Sequence, residues 1–174
     1  MEQLTATAKR IELVIFDVDG VLTDGSLFIG DDGQEYKAFN SRDGHGIRML
    51  QECGVRAAIL TGRQSEVVRH RTRDLGIELV MQGHRDKRPA FRALLQETGL
   101  TPEVIAYVGD DVVDLPVMKQ VGLAIAVADA HPLVLEHADW VTRARGGRGA
   151  GRDVCEFLLR ARGVLDEKLA SYLE

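Results

Sequence analysis

The chain has 174 residues, 45% of them hydrophobic, which suits one globular domain with a sizeable core and excludes a disordered segment. Its formal charge of -5 argues against a general nucleic-acid binder, which is usually basic, but leaves room for a small anionic ligand in a local basic pocket. No apolar run reaches membrane-spanning length, and the N-terminal MEQLTATAKR lacks the apolar core of a signal peptide. Cys53 and Cys155 fall in stretches that read as helical, so both are expected as small hydrophobes in a reducing, cytoplasmic setting rather than as a disulfide.

In chain order, ELVIFD is a short buried strand. GSLFIGDDGQEYKAFN follows as a hairpin turning at DDG. HGIRMLQECG is a helix with Ile47, Leu50 and Cys53 at helical spacing, and VRAAIL is the second strand. SEVVRHRTRDLG is a charged helix closed by Gly76, and IELVM is the third strand. KRPAFRALLQETG is a helix with Pro89 in its first turn. EVIAYVGDD is a strand that runs into acids, LPVMKQVG is helical, LAIAVA is a strand and DWVT a short edge. GRDVCEFLLRARG is the last helix, and the tail beyond Gly163 either frays or packs on a partner. Strands alternating with helices predict an α/β fold: a Rossmann-like, mostly parallel sheet with helices on both faces. The β-hairpin inserted after the first strand breaks that rhythm. One domain over 1–174 is expected, with the hairpin at about 25–39 and the tail at about 163–174.

In such a sheet, ligands gather at the carboxyl ends of the strands. Three of those ends carry unusual residues: DVDG with Asp17 and Asp19, TGR from Thr61, and GDDVVD with Asp110, Asp111 and Asp114. Lys87 opens a helix nearby. Clustered carboxylates are stable together only around a cation or when some are protonated. Hard oxygen ligands with an incomplete protein shell suit Mg²⁺, while a hydroxyl and an ammonium suit phosphoryl oxygens, so the set reads as phosphoryl transfer. An EF-hand loop starting at Asp17 fails, since Val21 and Phe28 stand where ligands are needed. Any one of these acids could be a helix cap or turn former, but three clusters at three strand ends favour a site.

DVDGV, LTGR, Lys87 and GDDVVD, in that order across Leu13 to Asp114, resemble the four motifs of the haloacid dehalogenase superfamily of phosphatases. A closer resemblance, to the family of 3-deoxy-D-manno-octulosonate 8-phosphate (Kdo 8-phosphate) phosphatases, runs through FDVDGVLTDG, FNSRDGHGIRML, AYVGDDVVDLPVM, IAVADAHPLV and GGRGAGRDVCEFLL. The resemblance implies a capless enzyme that releases Kdo for lipopolysaccharide through an aspartyl-phosphate. Asp17 would be the nucleophile and Asp19 the general acid and base. Mg²⁺ would bind Asp17, the Asp19 carbonyl and Asp110, with Asp111 and Asp114 orienting the metal's waters. Thr61, Lys87 and the Gly62 backbone would hold the phosphoryl group. It also implies a homotetramer in which hairpins meet and a neighbour helps close each active site. The sugar acid's carboxylate calls for arginine, and Arg42, Arg63 and Arg148 are the candidates in the flanking loops. The glycine-rich RGGRGAG is expected to approach a substrate or a neighbouring subunit closely, and His45 is the one histidine placed near the site. A nine-carbon sugar acid 9-phosphate remains open as the substrate, as does a non-enzymatic scaffold. A mutase is disfavoured because no cap shields an intermediate from water.

Overall fold

Six strands make one parallel sheet in the computed structural model, which describes residues 2–174; Met1 lies outside them. The strands are β1 (Leu13–Phe16), β4 (Arg56–Leu60), β5 (Leu79–Met81), β6 (Ile105–Gly109), β7 (Leu123–Ala126) and β8 (Trp140–Val141), in spatial order β5-β4-β1-β6-β7-β8. Every residue of β1, β6 and β7 is buried, as expected when helices cover both faces of a parallel sheet. Around it lie α1 (Glu2–Lys9), α2 (Ser41–Glu52), α3 (Glu66–Leu75), α4 (Lys87–Thr98), α5 (Leu115–Met118), α6 (Pro132–His137), α7 (Ala150–Arg162) and α8 (Leu165–Ala170). One helical group packs α1 and α2 on α7, and another packs α4 on α5. The chain builds outward from β1 through β4 to β5, then returns to β6 on β1's other side, so the order reverses beside β1. Phe16 is in register with Ile59 on one side and Val108 on the other, which brings the carboxyl ends of three strands to one rim.

The hairpin is β2 (Phe28–Ile29) and β3 (Glu35–Tyr36), an antiparallel pair of two residues each, closed at its turn by Gly33 N–H on the Gly30 carbonyl at 2.8 Å. Leu27, Phe28, Ile29 and Tyr36 are all exposed on it. Both cysteines are free, Cys155 buried and Cys53 half-buried. Trp140 stacks on Phe157 with ring centroids 4.2 Å apart, tying the edge strand to α7. Helices α1, α6 and α8 lie where no helix is expected from the sequence pattern; α6 has six residues, begins at Pro132 and is capped by His131. The C-terminal segment returns to its own chain: Leu165 is buried, Lys168 pairs with Glu52 at 2.6 Å, and Tyr172 lies 5.3 Å from His45. No helix among the described residues is long and apolar enough to cross a membrane.

Candidate active site

Asp17 follows β1 directly, and its N–H donates to the Val108 carbonyl at 3.1 Å, so the parallel ladder holds it in place. Its Oδ1 accepts the Val18 N–H at 2.7 Å and its Oδ2 lies 3.1 Å from Lys87 Nζ. Lys87 is the first residue of α4, whose end is capped by Asp86, and its side chain is 1% exposed. The ammonium also reaches Asp114 Oδ1 at 2.6 Å and the Tyr107 hydroxyl at 2.9 Å. Burial works to lower the Lys87 pKa, but Asp17 and Asp114 outweigh it and the net shift is upward, so the lysine is charged. Tyr107 donates to Asp114 Oδ1 at 2.7 Å, and burial with Asp114 and Asp17 behind it keeps the phenol protonated.

Asp114 is spent on bracing: its Oδ2 accepts the backbone N–H groups of Asp110 (3.0 Å) and Asp111 (3.2 Å). Asp110 differs. Its Oδ1 is buried with no hydrogen-bond partner, and carboxylate oxygens of Asp17, Asp110 and Asp114 lie within 4.8 Å of one another. Burial, then the neighbouring acids, push Asp110 up to about 8; burial pushes Asp17 up to about 6, with Lys87 opposing. An orphaned buried carboxylate oxygen among acids, all hard donors, fits a divalent cation such as Mg²⁺. Gly20 makes room for this: a Cβ there would strike the Asp110 carboxylate, and its φ of +93° already favours glycine.

These shifts have a consequence for stability. Between 3.8 and the raised values, the folded chain keeps protons that the unfolded chain has released, so stability falls as pH rises through that window. The thermal midpoint in chelator should therefore decline from about pH 5 to about pH 9, and Mg²⁺ should raise it more at about pH 8 than at about pH 5. Calorimetry with and without Mg²⁺ checks this; an equal Mg²⁺ shift at both pH values would contradict it.

Thr61 follows β4 directly, buried, its N–H on the Met81 carbonyl at 3.0 Å, with Gly62 and Arg63 leading on from it. Asp19 stands at the rim, its side chain 19% exposed against 8% for Asp17. Arg63 Nε is 3.9 Å from Asp19 Oδ2, and Arg63 Nη2 is 3.1 Å from Glu35 of the hairpin. Arg148 instead pairs with Asp24 at 2.9 Å, and Arg42 stands exposed in the first turn of α2, so of the three arginines only Arg63 contacts an acid of the site. Asp111 is exposed, its Oδ1 on the Val112 N–H at 2.7 Å, apart from the carboxylate cluster. The glycine-rich loop packs on its own chain: Gly147 N–H donates to the Val21 carbonyl at 2.9 Å, and a Cβ at Gly146 would strike the Gly20 carbonyl. It thus buttresses the loop that carries Asp17 and Asp19. Tyr107 and Lys37 are missed by reading the sequence. The one signal for Tyr107 is a polar-tipped residue inside an otherwise apolar strand, three positions before Asp110. A cavity of about 830 Å³ opens at the β5 edge between α3 and α4, and none of Asp17, Asp19, Asp110 and Asp114 lines it.

A parallel sheet whose switch point carries paired acids, a buried lysine and a cation-ready carboxylate defines a haloacid dehalogenase-like hydrolase, and that family matches residues 76–149. The 3-deoxy-D-manno-octulosonate 8-phosphate phosphatase of Escherichia coli (strain K12) is 53% identical over 162 residues, covering 93% of this chain and 86% of that protein. The Yersinia pestis phosphatase of the same name superposes with a TM-score of 0.93 at 48% identity, over 95% of this chain and 89% of that one. The Moraxella catarrhalis phosphatase, solved with magnesium, phosphate and Kdo, gives 0.96 at 37% identity over 99% of both chains. The chain belongs to the family of 3-deoxy-D-manno-octulosonate 8-phosphate phosphatases.

Proposed function

We propose that this chain is a Mg²⁺-dependent phosphomonoesterase that hydrolyses Kdo 8-phosphate to Kdo and inorganic phosphate, acting in the cytoplasm as a single capless domain. The observation that carries the reading is the cluster of Asp17, Asp110 and Asp114 around Lys87, in a chain 53% identical to a phosphatase of that name.

Asp17, Asp110 and the Asp19 carbonyl would hold Mg²⁺, which when bound supplies charge neutralisation for the phosphoryl oxygens and holds Asp17 ionised. In the first half-reaction a carboxylate oxygen of Asp17 attacks phosphorus, and the bond from phosphorus to the sugar's O8 breaks. Asp19 gives its proton to that departing oxygen. In the second, Asp19 takes a proton from water as the water oxygen attacks phosphorus, and the aspartyl–phosphorus bond breaks to restore Asp17. Thr61, the Gly62 backbone and Lys87 hold the phosphoryl oxygens, and Asp114 and Tyr107 keep the ammonium in place. Arg63, at the mouth, is the first candidate for the sugar's carboxylate, with Arg42 and Arg148 behind it. Phosphate release with Mg²⁺ from Kdo 8-phosphate, set against a nine-carbon sugar acid 9-phosphate, tests the reading. Preference for the first is expected; preference for the second would keep the chemistry and replace the substrate.

The assembly proposed is a homotetramer joined through the hairpins. Four exposed apolar side chains on a two-residue ladder, Leu27, Phe28, Ile29 and Tyr36, support it, since so short a hairpin is marginal alone in water. Sedimentation should give four chains, and Phe28→Glu with Ile29→Glu a smaller species. A monomeric unsubstituted chain would contradict it.

A further inference from the structure

We propose that Lys37, on the hairpin, is a positioning residue for Asp19, holding one carboxylate oxygen so that the other faces the leaving group. The inference rests on the phosphatase reading above and assigns the hairpin a part in the chemistry of its own subunit.

Lys37 follows β3 between two exposed residues, Tyr36 and Ala38, yet its own side chain is 1% exposed. Enclosing a lysine is costly unless its charge is met. Two acids meet it: Asp19 Oδ1 at 2.5 Å, across 18 residues of chain, and Glu35 Oε1 at 3.1 Å. Glu35 also accepts Arg63 Nη2 at 3.1 Å, so the base of the hairpin is fastened to the loop after β4 as well. Lys37 lies just outside the two-residue Phe28–Tyr36 ladder, so its ion pair with Asp19 is not one of the hairpin's own strand contacts. What the pair does is fix Asp19. With Oδ1 engaged, Oδ2 has among the described residues only the Arg63 Nε contact at 3.9 Å, beyond hydrogen-bond reach, and is the oxygen left open toward the leaving group. A proton delivered from Oδ2 keeps the Oδ1–Lys37 hydrogen bond in place, and that bond strengthens as the carboxylate becomes charged. Proton transfer is sensitive to placement, so a loosened Asp19 should cost rate where the leaving group needs its proton.

That condition supplies the test. A sugar alkoxide must be protonated as it departs, whereas p-nitrophenolate leaves unaided, and kcat/KM covers the steps up to departure. Lys37→Met should lower kcat/KM for Kdo 8-phosphate about 100-fold and that for p-nitrophenyl phosphate by less than about threefold. Lys37→Arg should recover part of the loss, and Asp19→Asn should show the same substrate contrast. Lys37→Gln, which keeps a donor for Glu35, replaces the apolar variant should that one not fold. An equal fall on both substrates, or none on either, would overturn the inference while leaving the phosphatase reading intact. Failure of the unsubstituted, Mg²⁺-loaded chain on both substrates would overturn that reading and this inference with it.

Discussion

Asp17→Asn is expected to lower turnover of Kdo 8-phosphate by at least about 10⁴-fold without unfolding the protein. An amide cannot form the aspartyl-phosphate, so the loss should fall on kcat rather than on substrate binding. The fold should tolerate the change for a local reason. The amide oxygen can still accept the Val18 N–H, and although the amide nitrogen cannot accept from Lys87, the ammonium keeps Asp114 and the Tyr107 hydroxyl. Burial also pushes the Asp17 carboxyl up to about 6, so at neutral pH without a cation the ionised acid opposes folding. In chelator the variant should therefore melt no lower than the parent, and the stabilisation by Mg²⁺ should shrink. Phosphate release and thermal midpoints measured on one preparation check both halves. Turnover above about 1% of the parent's would rule out Asp17 as nucleophile.

Lys87→Met carries the largest expected effect on stability. The ammonium is enclosed and lies within 3.1 Å of Asp17, Asp114 and the Tyr107 hydroxyl. Removing it leaves Asp17, Asp110 and Asp114 together without a counter-charge, and breaking a buried pair from one side costs about 3–5 kcal/mol. For a chain of this length that is a fall of about 10 °C in thermal midpoint at neutral pH. The loss should shrink as pH falls toward about 4, because protonating the acids removes the repulsion. Mg²⁺ should restore part of the stability and little of the activity, since the phosphoryl contact proposed for Lys87 would still be missing. A midpoint within about 2 °C of the parent's would mean that the acids are already neutral without the lysine.

Much of the fold was legible because its signals are local. Alternating buried runs and amphipathic stretches placed the six sheet strands, and glycines at 76 and 163 marked helix ends that are in fact left-handed. Short helices were not. Helix α6 has six residues and α8 six, too few for a periodic face, and α8 is held by Leu165 burial and the Lys168–Glu52 pair, which are tertiary. Asp17, Asp19 and Asp110 stood out because acids directly after buried strands are unusual. Lys37 did not, because most lysines are solvated and nothing near it in sequence shows that it is enclosed.

By itself, the sequence determined the parallel α/β architecture and the acids at its strand ends, since hydrophobic period and the residue after a strand are properties of adjacent positions. Only the tertiary structure decided the division of labour among those acids. Asp114 is occupied by Lys87, Tyr107 and two backbone amides, Asp110 keeps an unpartnered oxygen, and Asp19 is held from the hairpin. Likewise, the glycine-rich loop turned out to support the loop of its own chain that carries Asp17 and Asp19. Each of these facts depends on which donors the fold brings within about 3 Å, and hydrogen bonding and charge act over that distance in space, whatever the separation along the chain.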